Sequence, residues 1–368
     1  MGSAALYHLA RRGARAIGFD RYSPPHALGS THGLSRIIRE AYFEDPLYVP
    51  LVQRAYELWA ELERGAERRL FQQTGGLMIG PADGTLVGGA RRSAEAHHLE
   101  YEELTSREVR SRFPAFRVPR GVAALFERRA GMLDPEGCVA AHLALARAAG
   151  ASVRLGEPVK HWSASGGKVT VETAEGKLGA SHLVLCVGAW APVLLGDATI
   201  PLTVERQTMH WFTPARAAER FTPQHCPIAM IEYAPDHFFY TLPDSGSGVK
   251  AALHHGGELA DPESVRRTVD DTDIAPVEAL VRRYLPDAAG HRRASAVCLY
   301  TNTPDQHFLI DALPQHPEVL VVSACSGHGF KFASAIGEAV ADLVAGRQPV
   351  CDLGAFTYAR RLRTAALG

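Results

Sequence analysis

Four short runs carry the residues able to do chemistry. Ala296-Val297-Cys298-Leu299-Tyr300-Thr301-Asn302-Thr303 sets a cysteine in a β-branched and aromatic stretch that reads as a strand. A cysteine so placed reads either as a buried structural residue or, as thiolate, as a nucleophile. Ser326-Gly327-His328-Gly329-Phe330-Lys331-Phe332 puts two glycines and a lysine at the mouth of a helix, where backbone amides are free to approach a cofactor oxygen. In Gly248-Val249-Lys250-Ala251-Ala252-Leu253-His254, strand alternation turns Lys250 and His254 to the same face. A lysine among apolar neighbours is neutral, paired, or an edge charge that blocks aggregation. Arg36 and Arg39 end the run that starts at Gly29, and their planar forks suit bidentate carboxylate binding. Their three-residue spacing predicts one helical face for both, either facing ligands or solvated.

Other chemistries have little support. GxSxG, HExxH and GxxxxGK[ST] are missing, which leaves hydrolase and NTPase readings without a basis. The cysteines at 138, 186, 226, 298, 325 and 351 are scattered without a CxxC pair, which argues against a zinc site or a disulfide framework and predicts no metal. With 39 Lys+Arg against 40 Asp+Glu, the net charge of −1 favours neither nucleic acid nor an anionic membrane. No apolar run approaches a membrane span, and with no signal peptide recognised the expected compartment is the reducing cytoplasm.

The positioning elements follow from periodicity. A helix is expected over Ala4–Arg12 with Gly13 as its stop, then a buried parallel strand over Ala16–Asp20 that ends in an acid. Together they read as the second half of a dinucleotide-binding βαβ unit. Pro50 opens a helix carrying Leu51, Ala55, Leu58 and Leu62 on one face. Another is expected from Pro135 to Ala149, followed by strands near Ala151–Leu155 and Ser181–Val187. The last helix is expected to start at Lys331, bury Phe332, Ile336, Ala339, Val340 and Leu343, and stop at Gly346. Between Pro201 and Tyr300 the pattern alternates over Thr203–Phe212, His237–Leu242 and Gly248–His254. The length of 368 residues allows two domains, so the predicted fold class is α/β and α+β: a doubly wound nucleotide layer interleaved with an antiparallel, β-rich layer.

Several motifs carry a family resemblance that covers nearly the whole chain. The run from Gly29 to Arg39 resembles GSHHGxTRxIR, Val187-Gly188-Ala189-Trp190 resembles a GAW corner, and Cys298-Leu299-Tyr300 followed by Thr301-Asn302-Thr303 resembles CxY with TxT. Together with the Gly327–Lys331 loop, these motifs resemble the monomeric sarcosine oxidase and N-methyltryptophan oxidase family, flavin-dependent amine oxidases. The resemblance implies an FAD-binding Rossmann-like domain from residues 1–73, 134–201 and 305–368, and a substrate domain from 74–133 and 202–304. It implies FAD joined to Cys298, with Cys325 the weaker candidate. Gly2 and Asp20 would belong to the nucleotide fingerprint, and Ser30, His32 and Arg36 would lie along the flavin. Val159, Gly188, Trp190, Gly327, Gly329 and Phe330 would complete the cofactor contacts. Arg39 and Lys331, the latter also a cofactor contact, would grip the substrate carboxylate. Tyr240 would lie over the substrate pocket, Tyr300 would share the face of Cys298, and Lys250 and His254 would point to the ring, with Lys250 assisting reduction of O₂ to H₂O₂.

The activity implied is oxidation of an N-methyl amino acid to an imine, which hydrolyses to amine and formaldehyde, by a monomer with no nucleic-acid or membrane partner. A cyclic or bulky secondary amine as substrate, or a flavin-binding protein without turnover, are the alternatives. The resemblance takes up at about the third glycine of the fingerprint. The expectation is therefore that Met1 is an internal start, that the first strand of the unit is missing, and that this form folds poorly and holds FAD weakly.

Overall fold

The structure, a computed structural model, describes residues 1–195 and 201–359, so 196–200 of the second expected nucleotide stretch and 360–368 of the third lie outside it. Its largest sheet runs in the order Glu258–Leu259, Thr203–Phe212, Val249–His254, His237–Leu242, Ile228–Ala234, Gly76–Gly80, Ala123–Glu127 and Glu102–Thr105. Arg292–Asn302 pairs antiparallel along Thr203–Phe212, with Gln207 opposite Cys298. One joint is parallel, between Ile228–Ala234 and Gly76–Gly80. The register sets Lys250 opposite Trp211 and Tyr240 opposite Ala252. Period-two alternation then gathers Met209, Trp211, Ala252, Cys298 and Tyr300 into one apolar cluster.

The nucleotide side is built differently. Ile17–Asp20 pairs parallel with Ser152–Leu155, while Leu183–Leu185 pairs parallel with His316–Ser323, which in turn pairs antiparallel with Leu309–Leu313. Among the described residues no ladder joins these two groups. Helices hold them together: Gly2–Arg11 packs on Ala333–Val344 so closely that a Cβ on Gly337 would stand 2.6 Å from the Ala4 backbone. Leu51, Ala55, Leu58 and Leu62 of helix Val49–Ala66 are buried in the core that also takes Phe332, Ile336, Ala339 and Val340.

Four local expectations are corrected. Arg36 lies on a strand, Arg36–Ile38, paired with Gly131–Leu133, and Arg39 sits in the bend after it, so the two share no helical face. The β-branched pair Ile37-Ile38 decides for strand over helix there. Ile17–Asp20 is half-exposed because it borders a cavity, and Leu343 faces outward at 36% exposure. The final helix, Ala333–Val344, is preceded by a 3₁₀ turn over Phe330–Phe332.

Candidate active site

A cavity of about 1420 Å³ runs between the nucleotide-side strands and the face of the large sheet. Every residue proposed above for cofactor or substrate lines it except His32. Gly2, Asp20, Val159, Gly188 and Trp190 border one end, and Cys298, Lys250, Tyr240, Tyr300, His254, Arg39 and Lys331 the other.

At the sheet end, the Cys298 thiol is buried, 3.7 Å from Arg36 Nη2 and 3.5 Å from the Ser30 carbonyl. Burial raises its pKa, and the Arg36 guanidinium pulls the other way. Arg36 also donates to the carbonyls of Ser30 at 2.8 Å and Ser35 at 3.0 Å, folding the Gly29–Ser35 loop over the thiol. Lys250, 1% exposed, donates to the carbonyls of Gly33 at 2.9 Å and Ser35 at 2.7 Å, and lies 5.5 Å above the Trp211 ring. Burial first, and Arg36 second, push its pKa well below the lysine value. His32 lies behind this wall, its Nε2 without a partner among the described residues; burial, then Arg36 and Lys250, bring it down to about 4.

The next stretch of wall is aromatic. His254 Nδ1 is 3.4 Å from the Tyr300 hydroxyl, and burial holds the imidazole neutral by lowering its pKa well below the usual value. Gly327 has φ +77°, and a Cβ there would stand 2.6 Å from the Tyr300 ring and 2.9 Å from His254. A Cβ on Gly329 would lie 1.8 Å from the Ala324 carbonyl. Only glycine lets this loop bring its amides to the cavity.

The cationic corner is made by Arg39 and Lys331. Arg39 is 1% exposed; Nη1 donates to the Ala41 carbonyl and Nη2 to Glu44, each at 2.8 Å, and its Nε finds no partner among the described residues. Lys331 Nζ donates to the His328 carbonyl at 2.8 Å and to the Tyr42 hydroxyl at 3.2 Å, and burial with the nearby Arg39 charge brings it down to about 7. Burial resists ionisation of Glu44, yet Arg39, His328 and Lys331 together hold its pKa below the usual carboxylate range. Tyr42 completes the corner with a 2.7 Å contact from its hydroxyl to His328 Nδ1.

Sequence reasoning passed over Tyr42, Glu44 and His328. The acid five positions after Arg39 in Arg39-Glu40-Ala41-Tyr42-Phe43-Glu44 was the available signal, since a buried arginine needs a counter-charge. The residues fit a flavin dinucleotide. The cavity is lined both by an acid-terminated strand and by an apolar sheet face, with glycine-bared amides and a thiol at its wall. The buried Arg39 Nε donor is left without a partner among the described residues.

Known proteins agree. The chain is 43% identical over 369 aligned residues to a monomeric sarcosine oxidase of Streptomyces avermitilis, across 99% of this chain and 96% of that one. It is 36% identical over 363 residues to an N-methyl-L-tryptophan oxidase of Salmonella newport, across 98% and 96%. In structure it matches NikD, described as an unusual amino acid oxidase essential for nikkomycin biosynthesis, with a TM-score of 0.84, 25% identity and coverage of 96% and 94%. The fold is shared as well with L-proline dehydrogenase from P. horikoshii, at a TM-score of 0.82, 20% identity and coverage of 98% and 95%. The model of the FAD dependent oxidoreductase family runs through residues 1–343, taking in both the strand that ends at Asp20 and the loop that carries Lys331, and to that family this chain belongs.

Proposed function

We propose that the protein oxidises N-methyl amino acids, of the sarcosine or N-methyltryptophan type, to imines that hydrolyse to amine and formaldehyde, with O₂ as electron acceptor and H₂O₂ as product. The observation that carries this reading is the cationic corner of Arg39 and Lys331, set beside a wall of Tyr240, Tyr300 and neutral His254 in one cavity. An amino acid needs such a pairing: fixed donors for its carboxylate and an uncharged surface for its amine. FAD, when bound, supplies the two-electron redox chemistry.

The protein's own residues divide the remaining work. The Arg39 Nε hydrogen and the Lys331 ammonium are the donors left for a ligand carboxylate, with Glu44 balancing part of the charge. Lys331, with its pKa near 7, adds its full charge only below neutrality. Gly2, Asp20, Val159, Gly188 and Trp190 would hold the nucleotide half of FAD. Ser30, Arg36, Gly327, Gly329 and Phe330 would hold the ring, and Cys298 would anchor it covalently. His32 supports the ring site from behind its wall. Lys250 would serve the oxygen step. The relatives' description as monomeric supports a monomer, and six free cysteines suit a reducing cytoplasm.

Anaerobic mixing of the purified flavoprotein with N-methyl amino acids tests the reading. Loss of the oxidised flavin's visible absorbance should follow, with formaldehyde and H₂O₂ appearing once air is admitted. A flavin that stays oxidised with every N-methyl amino acid but bleaches with cyclic secondary amino acids would move the substrate to that class. One that stays oxidised with all of them would end the oxidase reading.

A further inference from the structure

Glu127 closes the strand Ala123–Glu127 and is 2% exposed, away from the cavity wall. Its two carboxylate oxygens accept from consecutive backbone amides, Glu40 N and Ala41 N, each at 2.8 Å. Those amides belong to the bend that directly follows Arg39. In that bend the Ala41 carbonyl takes Arg39 Nη1, and Glu44 takes Nη2. From the other side, helix Thr85–Ala96 presses against it. A Cβ on Gly89 would stand 2.4 Å from the Phe43 carbonyl, and Ser93 Oγ donates to the Tyr42 carbonyl. Residues 39–45 lie in no strand or helix, so contacts from other elements set the bend's shape. Of Glu127, Gly89 and Ser93, which reach the bend from other elements, Glu127 is the ionisable one.

We propose that Glu127 is the positioning residue for carboxylate recognition: by chelating the two amides after Arg39 it fixes the bend that aims the guanidinium into the cavity. This rests on Arg39 binding the substrate carboxylate. A carboxylate serves both amides at once, whereas a protonated carboxyl keeps one good acceptor and strands the other amide. Burial pushes the Glu127 carboxyl up to about 7, against the pull of its two amides, with Glu40 adding to the rise and Arg39 opposing it. The other groups around it are Arg129, which pairs with Glu40 at 2.7 Å, and the Tyr56 hydroxyl, whose pKa Glu127 helps to raise. Glu40 is itself raised by burial and lowered by Arg129. Protonation of Glu127 as pH falls through neutrality therefore loosens the bend.

Lys331 works in the opposite sense, gaining charge below about 7 and attracting a carboxylate more strongly. Carboxylate affinity in the wild type should thus pass through a maximum, with an acidic limb owed to Glu127 and a basic limb owed to Lys331. Removing Glu127's titration should leave the basic limb alone.

The test uses the flavin-loaded enzyme. The dissociation constant of betaine, a carboxylate with no nitrogen lone pair to oxidise, is read from the flavin spectrum between pH 6 and 9. KM and kcat are measured for an N-methyl amino acid and for the matching N-methyl amine without a carboxylate. Glu127→Gln should raise KM for the amino acid and the betaine constant roughly tenfold or more, as expected for a lost charged hydrogen bond. It should leave kcat nearly unchanged, spare the amine, and erase the acidic limb. Glu127→Asp should recover part of the affinity. An equal loss for the amine, an acidic limb that survives Glu127→Gln, or a wild type without that limb would overturn the proposal. Arg39→Met separates the two readings. If it leaves carboxylate affinity intact, the Arg39 assignment fails and takes this proposal with it; if it weakens affinity while both Glu127 variants do not, only this proposal falls. Should Glu127→Gln fail to fold, Glu127→Asp and the wild-type pH curve decide.

Discussion

Lys250 is a buried amine held by carbonyl oxygens and an indole face, with no ion pair among the described residues. Its position beside Cys298 and Arg36 makes sense if negative charge develops nearby during turnover, because a pre-oriented donor in a dry site is worth more than in water. Lys250→Met should slow reoxidation of reduced enzyme by O₂ several hundredfold, about 3–4 kcal/mol, while leaving anaerobic reduction by substrate within a fewfold. Stopped-flow measurement of the two half-reactions checks this, and equal slowing of both would remove Lys250 from the oxygen step. The two cysteines near Ser30 pose a second question at this scale. Cys298 lies within reach of the Arg36 guanidinium, whereas Cys325 accepts a hydrogen bond from the Thr301 amide at 3.3 Å. Cys298→Ser should abolish flavin fluorescence on a denaturing gel and the mass increment of one FAD, and Cys325→Ser should preserve both. Flavin released by acid from the wild type would show that no bond to either cysteine exists.

The elements around the site show where sequence was informative and where it was not. Helix Thr85–Ala96 is amphipathic in the ordinary way, but Gly89 occupies its contact with the bend at Phe43. An alanine normally strengthens a helix interior by up to about 1 kcal/mol. Here a methyl 2.4 Å from the Phe43 carbonyl must displace backbone, so Gly89→Ala should cost about 1–3 kcal/mol, seen as a lower midpoint in urea and a raised KM for the amino acid. An unchanged midpoint would mean that the bend yields freely. Thr203–Phe212 and His237–Leu242 were readable residue for residue from their β-branched and aromatic content, even though nearly every position in both is buried and no exposed face alternates with a buried one. Arg36 and Arg39 were misplaced because a three-residue spacing of basic groups suits a helix, while the competing signal, two isoleucines, is only two residues long. Glu127 left no local trace, and Glu44 was signalled only by its place five residues after Arg39. An acid at a strand end looks solvated, and its burial is made by segments 86 residues or more away in one case and by a loop folding back on itself in the other.

At the scale of the molecule, buried histidines set the acid limit. Burial is the leading cause that brings His8, His32 and His210 down to about 4 and His328 to about 3. Each stays neutral in the folded chain while its unfolded counterpart charges near 6.5, so the unfolded state binds more protons as pH falls. Their contribution is complete above 6.5 and drains away as pH drops toward 4, at roughly 1.4 kcal/mol per pH unit for each. Glu127, with its pKa raised, works oppositely, losing stability as pH rises from its unfolded value toward 7, but it stands against four histidines. Tm should fall steeply between pH 6.5 and 4.5, and a flat profile there would show that these imidazoles are already charged in the folded protein.

The nucleotide side carries a different consequence. Ile17–Asp20 with Ser152–Leu155 forms a two-stranded unit that, among the described residues, no ladder ties to the strands across the cavity. Such a unit can open by parting from its helices alone, without breaking any hydrogen bond of the large sheet, and so behaves as a separate cooperative unit of low opening free energy. Amide deuterium uptake should therefore be fast in those two strands and slow in Thr203–Phe212 and Arg292–Asn302. A dinucleotide spanning the cavity would bridge the units, so loading with FAD should slow exchange in the paired strands far more than in the sheet, turning two clocks into one.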